Sequence, residues 1–181
     1  MSTTRSSGGG QSWVVEILSM RVGAVLSLLT LLLGFSLGGI FGLFEDSLKA
    51  GFEKTALQTL ASEPDPEAAA ARLSGRSWSY MKRSHLHANG LGTSALALIL
   101  LTTGMTSGAG LKRLAAYLLG IGALGYSLFW MLAAFRAPAL GSTDLAKESL
   151  NWFAMPTAAC CLLGLVLVLV MVVRTLFRAA D

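Results

Sequence analysis

The two histidines of the chain stand at alternate positions in the run His85-Leu86-His87-Ala88-Asn89-Gly90-Leu91-Gly92, at the mouth of an otherwise apolar segment. Imidazole titrates near neutral pH and ligates transition metals, so this pair could hold a metal or haem, handle protons or contact a quinone. Equally, it could be a polar anchor hydrogen-bonded to helix ends at a membrane interface. Ionisable side chains near lipid are costly, which makes His85, His87 and Asn89 the candidate site residues. Drawn on a helix, His85, Asn89, Gly92 and Leu96 share one face, and His87 lies about 200° from His85. On one regular helix the two rings therefore cannot ligate one ion; a shared ion would require extended chain there. His85 is expected to face inward, because Asn89 and Gly92 beside it are too polar and open for lipid. His87 leads to Leu91, Ser94 and Leu98, a face suited to lipid or a partner helix.

The pattern His-x-His-x-Asn-x-x-Gly opening an apolar helix resembles the histidine-bearing second-helix motif of subunit I of haem-copper oxidases. It is more similar still to small bacterial membrane proteins that carry a helix of this type. The likeness covers about ten of the 181 residues. A histidine of this helix is an axial haem ligand in the oxidases. The resemblance therefore implies haem or a transition metal at His85 and His87, with Asn89 beside them, and a place in respiratory redox chemistry. With no third histidine in the chain, a further axial ligand would be Met81, Met105 or Met131, or a histidine of a second copy. The alternative is a non-catalytic scaffold or accessory subunit packed against a larger complex.

The elements that must position this motif are membrane spans. Of the chain's residues, 54% are hydrophobic and 13% charged, with a mean hydropathy of +0.63; a soluble domain carries about 25% charged residues. The apolar residues fall in four blocks, at 22–44, 86–109, 114–135 and 153–173. Each approaches the roughly 20 residues that cross about 30 Å of hydrocarbon as a helix. The first block exceeds the apolar core of a signal peptide and ends without an Ala-x-Ala site, so it reads as a retained span. The fold class is all-α: an integral membrane four-helix bundle with an outer loop carrying short amphipathic helices. Residues 1–21 form a flexible N-terminal tail and interfacial segment, and residues 22–181 the four-span domain, with its extramembrane loop at 45–84. In that loop Leu48, Phe52, Leu57 and Leu60 mark an amphipathic helix. Ser62-Glu63-Pro64-Asp65-Pro66 stops it, Asp65 caps a second helix, and Gly75 is a plausible stop for that one.

Charge sets the expected orientation. The N-tail, the turn between spans 2 and 3 and the C-tail hold Arg5, Arg21, Lys112, Arg113, Arg174 and Arg178 against Glu16 and Asp181. The other side holds eight basic and eight acidic residues. The positive-inside rule then places both termini in the cytoplasm, and the Ala/Gly/Leu/Arg-rich composition points to a bacterial inner membrane. The expected partners are the bilayer and a membrane protein or a second copy, not nucleic acid. The outer end would gather His85, His87, Asn89, Glu45, Asp46, Arg136, Asp144, Glu148 and Asn151 from all four spans. Gly34, Gly38 and Gly42, and Gly120, Gly122 and Gly125, read as helix-packing stripes. Cys160 and Cys161 read as packing residues. There is no Walker loop, Gly-x-Ser-x-Gly elbow or His-Glu-x-x-His. No span carries a charge at its centre, which weighs against an ion-coupled transporter.

Overall fold

The computed structural model of the chain describes residues 8–178, and these are almost entirely helical, with no strand among them. Six helices follow one another: α1 Gly8–Ser19, α2 Arg21–Thr59, α3 Pro66–Thr103, α4 Ala109–Leu140, α5 Thr143–Glu148 and α6 Asn151–Arg178. Four of them, α2, α3, α4 and α6, are long and apolar enough to cross a membrane. The least apolar is α3, with a mean hydropathy of 1.2 over its best window against 2.7 for α6. This difference follows from the threonines, serines and glycines of the second apolar block. Several buried hydroxyls are satisfied within their own helices: Ser27 donates to Gly23 O, Ser127 to Ala123 O and Thr157 to Phe153 O, whereas Ser84 of α3 donates across to Ser127 O of α4. Such bonds remove the cost of an unpaired hydroxyl in hydrocarbon.

The centre of the bundle is α4. Half of its span residues are buried, against 17% for α6, because α2, α3 and α6 all pack around it. Small residues permit the close approaches. Gly23 of α2 lies on the backbone of Ala116, Gly120 faces Gly23 O and Leu26, and Gly122 faces the backbone of Cys161. Gly125 rests on the side chain of Thr157. Helices gain nothing from hydrophobic burial against each other in lipid, so contact of this kind supplies the association. The third-span glycines thus pack as expected, and Cys161 is one of the surfaces they meet.

At one end, Met20 is fully buried in a cluster with Ile99, Ala116, Val168 and Met171, so the start of α2, the end of α3, the start of α4 and the last part of α6 lie together. Both ends of the described chain are therefore on the same side of the bundle. The break between α1 and α2 falls at Met20, whose φ and ψ of −107° and 12° are not helical. The short α1 is tied back by an ion pair of Glu16 with Lys112, at 3.2 Å, and Trp13 is exposed. Of the expected flexible tail, residues 1–7 lie outside the described residues, and the chain is already helical from Gly8.

At the other end, the segment at 45–84 continues the spans. At about 1.5 Å per residue the 39 residues of α2 reach about 58 Å, nearly twice the hydrocarbon thickness. A kink at Phe44, with φ −133° and ψ 17°, marks the change from apolar sequence to Glu45 and Asp46. Beyond it α2 is amphipathic, with Phe52 and Ala56 buried, and it ends at Thr59 before the proline-rich stop. Asp65 accepts from Ala68 N at 3.1 Å as the N-cap of α3, with Pro66 in the first turn. Gly75 does not stop that helix, which runs unbroken to Thr103. Packing on both sides of Gly75 explains why: Leu73, Ser74, Ser77 and Trp78 are buried, and Ser74 donates to Lys49 O of α2 at 3.0 Å. That tertiary support offsets the roughly 1 kcal/mol that glycine costs inside a helix. The tip of α4 rises to the same level, and Gly141, at φ +65°, turns the chain into α5 against Thr59 and Leu60.

Candidate functional site

The motif lies in the middle of α3, beyond the hairpin that the first half of this helix forms with the end of α2, and its two rings go to different neighbours. His85 is half-buried against α2: its Nδ1 donates to the Gly34 carbonyl oxygen at 2.8 Å. A carbonyl only accepts, so Nδ1 is the donor in this bond, and Nε2 is left out of it. The ring packs beside Phe41, with centroids 5.6 Å apart. Its Cε1 lies 3.0 Å from where a Cβ at Gly38 would stand. Asn89, one turn on, donates from Nδ2 to His85 O at 3.0 Å, and its side chain fills the space left by Gly34. Two of the three glycines in the first-span stripe thus receive the motif side chains. Around Gly42 the space is open.

His87 turns to α4. Its Nδ1 donates to Arg83 O at 2.7 Å, again leaving Nε2 out of the bond. The ring meets Tyr126 edge-on at 5.2 Å between centroids and stacks on Trp130 at 6.0 Å. The Arg83 guanidinium covers the other ring contacts of this cluster, 4.9 Å from Trp130 and 5.4 Å from Tyr80. His87 therefore faces a helix of its own chain. Sequence reasoning passed over this cluster, although Tyr80, Arg83 and His87 recur at helical spacing and signal a common face.

The residues expected to converge at the outer mouth do not all do so. Glu45 pairs with Lys49 on α2. Asp144 pairs with Lys147 on α5 at 2.8 Å. The Asp144 carboxyl is held below its usual range by the Lys147 hydrogen bond, and the Lys147 ammonium is raised by the same bond. Asp46, Arg136 and Asn151 are exposed.

This geometry limits what the motif can hold. A protein-bound transition metal is usually gripped by three or four side chains, but His85 and His87 point to opposite neighbours. Among the described residues no three His, Cys, Asp or Glu side chains gather to complete a metal centre. A metal shared by both histidines of one chain does not fit. Met105 lies near the far end of the bundle, about 30 Å along α3 from His85, among the residues around Met20 and Ile99. It cannot complete a haem with either histidine. Met81 is buried with Trp78 and Phe129 on the histidine side of the bundle, and Met131 packs against that group. No family model, curated protein or solved structure matches the chain.

Proposed function

We propose that this small multi-pass membrane protein is a non-catalytic accessory protein of a bacterial inner membrane, with both termini in the cytoplasm. The observation that carries this is the hydrogen bond from His85 Nδ1 to Gly34 O. Together with Asn89 seated on Gly34, it makes the motif a clamp that fixes α2 to α3 within the span, ten residues before the kink at Phe44. The exposed leucines and valines of α6 outside its contact with α4, among them Leu163, Val166 and Val170, leave a face for a larger membrane partner. The six basic residues on the terminal side support the orientation. Cysteine placed at exposed Gly75 labels with an impermeant reagent in spheroplasts, and cysteine at exposed Thr106 does not. The reverse pattern inverts the topology.

A second reading keeps haem or a metal at His85, His87 and Asn89, linked to respiratory redox chemistry. It is favoured by one feature: both rings tie Nδ1 to a backbone carbonyl. That arrangement orients ligating histidines elsewhere and leaves Nε2 for a ligand. A six-coordinate haem would take its second histidine from another copy. Purification in mild detergent separates the two. The accessory protein is colourless and free of transition metal, and His85→Ala lowers its unfolding midpoint through loss of an interhelical bond worth roughly 0.6–1.7 kcal/mol. A visible haem band or stoichiometric metal that His85→Ala or His87→Ala removes overturns the accessory role.

A further inference from the structure

On α3, Arg76, Arg83, His87, Leu91 and Leu98 recur at intervals of seven or four residues and so lie along one stripe. The stripe borders two hollows in succession. Outside the span, between α3 and α5, is a polar pocket of about 390 Å³ lined by Arg76, Arg83 and Lys147 with Tyr80, Thr143 and Asp144. Within the span is an apolar cleft of about 510 Å³, where Leu91, Ser94 and Leu98 of α3 look across Leu119 of α4 to Leu162 and Leu165 of α6. The cleft exists because α6 packs on α4 and barely reaches α3. Between pocket and cleft lie the rings of His87, Tyr126 and Trp130.

We propose that this groove is a binding site for one anionic phospholipid, its phosphate among Arg76, Arg83 and Lys147 and an acyl chain in the Leu91–Leu165 cleft. Charge argues for the head. Three cations line the pocket with one carboxylate, Asp144, which Lys147 already engages. Neither Arg76 nor Arg83 is in an ion pair among the described residues. Arg83 is held in place by the faces of Trp130 and Tyr80, so its fork is oriented before the phosphate arrives, and guanidinium suits phosphate oxygens. Length argues for the tail. From Arg83 to Leu98 the helix rises about 22 Å, which is half of the roughly 40–45 Å from headgroup to headgroup. A lipid of a single leaflet spans that interval. The rings of His87, Tyr126 and Trp130 stand between the polar pocket and the apolar cleft, and such amphipathic side chains suit the passage from headgroup to acyl chain. Lipid binding in this groove does not require the accessory role, and a haem at His85 would leave it intact.

Native mass spectrometry of the full chain in detergent, titrated with phosphatidylglycerol or phosphatidylcholine, tests the site. One phosphatidylglycerol is expected to stay bound in preference to phosphatidylcholine. Arg76→Gln changes an exposed side chain and leaves the fold intact; it should weaken phosphatidylglycerol about fivefold, the usual effect of one basic residue at a lipid surface. Lys54→Gln, an exposed cation on α2, should change nothing. Ala97→Phe, which fills the cleft from α3, should lower retention of both lipids. Equal retention of the two lipids by the parent protein overturns the proposal, as does a phosphatidylglycerol preference that Arg76→Gln leaves unchanged. Displacement of phosphatidylglycerol by a polyprenyl phosphate at lower concentration overturns the assignment to a phospholipid.

Discussion

Gly34, Gly38 and Gly42 look equivalent in a four-residue stripe, but the structure gives them three different environments, and alanine substitution separates them. A Cβ at Gly34 would stand 2.7 Å from Asn89 Oδ1 and 3.0 Å from the Asn89 backbone nitrogen. Backbone cannot rotate away, so α2 and α3 must part. Such overpacking costs about 1–3 kcal/mol, against at most about 1 kcal/mol gained from alanine's helix propensity. Gly34→Ala is therefore expected to destabilise by about 1–2 kcal/mol. At Gly38 the obstacle is His85 Cε1 at 3.0 Å. This is the edge of a ring held by one hydrogen bond, which can give by a few tenths of an ångström, so the two effects nearly cancel. At Gly42 nothing lies within 4 Å, and Gly42→Ala should be neutral or stabilising by up to about 1 kcal/mol. Reversible unfolding of the three variants in mixed detergent micelles reads the series directly. The order of stability should be Gly42→Ala, then Gly38→Ala, then Gly34→Ala. Equal stability of Gly34→Ala and Gly42→Ala would refute the α2–α3 contact and the clamp built on it.

The remaining predictions concern the ends of the bundle. Gly75 sits exposed inside α3 with open space around it, so Gly75→Ala should raise the unfolding free energy by about 0.5–1 kcal/mol; a loss would mean that the helix is interrupted there. The Lys112 side chain is 3% exposed and that of its partner Glu16 34%. Glu16→Gln should therefore cost about 2–3 kcal/mol by stranding a buried ammonium, and Lys112→Met much less; the opposite ranking in thermal unfolding would contradict the burial of Lys112. The Asp144 carboxyl, lowered by the Lys147 hydrogen bond within α5, should support that helical turn above the ordinary carboxylate range, a contribution lost as pH falls through its lowered pKa. The raised Lys147 ammonium sets the other limit, and the tie is lost as pH rises through its pKa. An Asp144 titration by NMR that Lys147→Met leaves unmoved would exclude this pair.

The parts legible in the sequence are those fixed by short-range periodicity. Four apolar blocks of span length became α2, α3, α4 and α6. Asp65-Pro66 gave the N-cap of α3, and the 200° separation of His85 from His87 along a helix correctly parted the two rings. The reading failed at Gly75, where local propensity argued for a stop and contacts with a helix distant in sequence decided otherwise. It also left open what His87 faces, because the choice between lipid and protein depends on where α4 lies. The same dependence hid the polar pocket. Arg76 and Arg83 share a visible stripe on α3, yet Lys147 joins them only because Gly141 adopts a left-handed turn and folds α5 back over that stripe. A helical pattern records which residues share a face. Which helix meets that face is set by the small residues that let backbones touch, and here those are Gly23, Gly34, Gly120 and Gly122. In lipid, where the hydrophobic effect does not choose between helix pairs, these glycines decide that α4 is central and that α3 and α6 are left with a cleft between them.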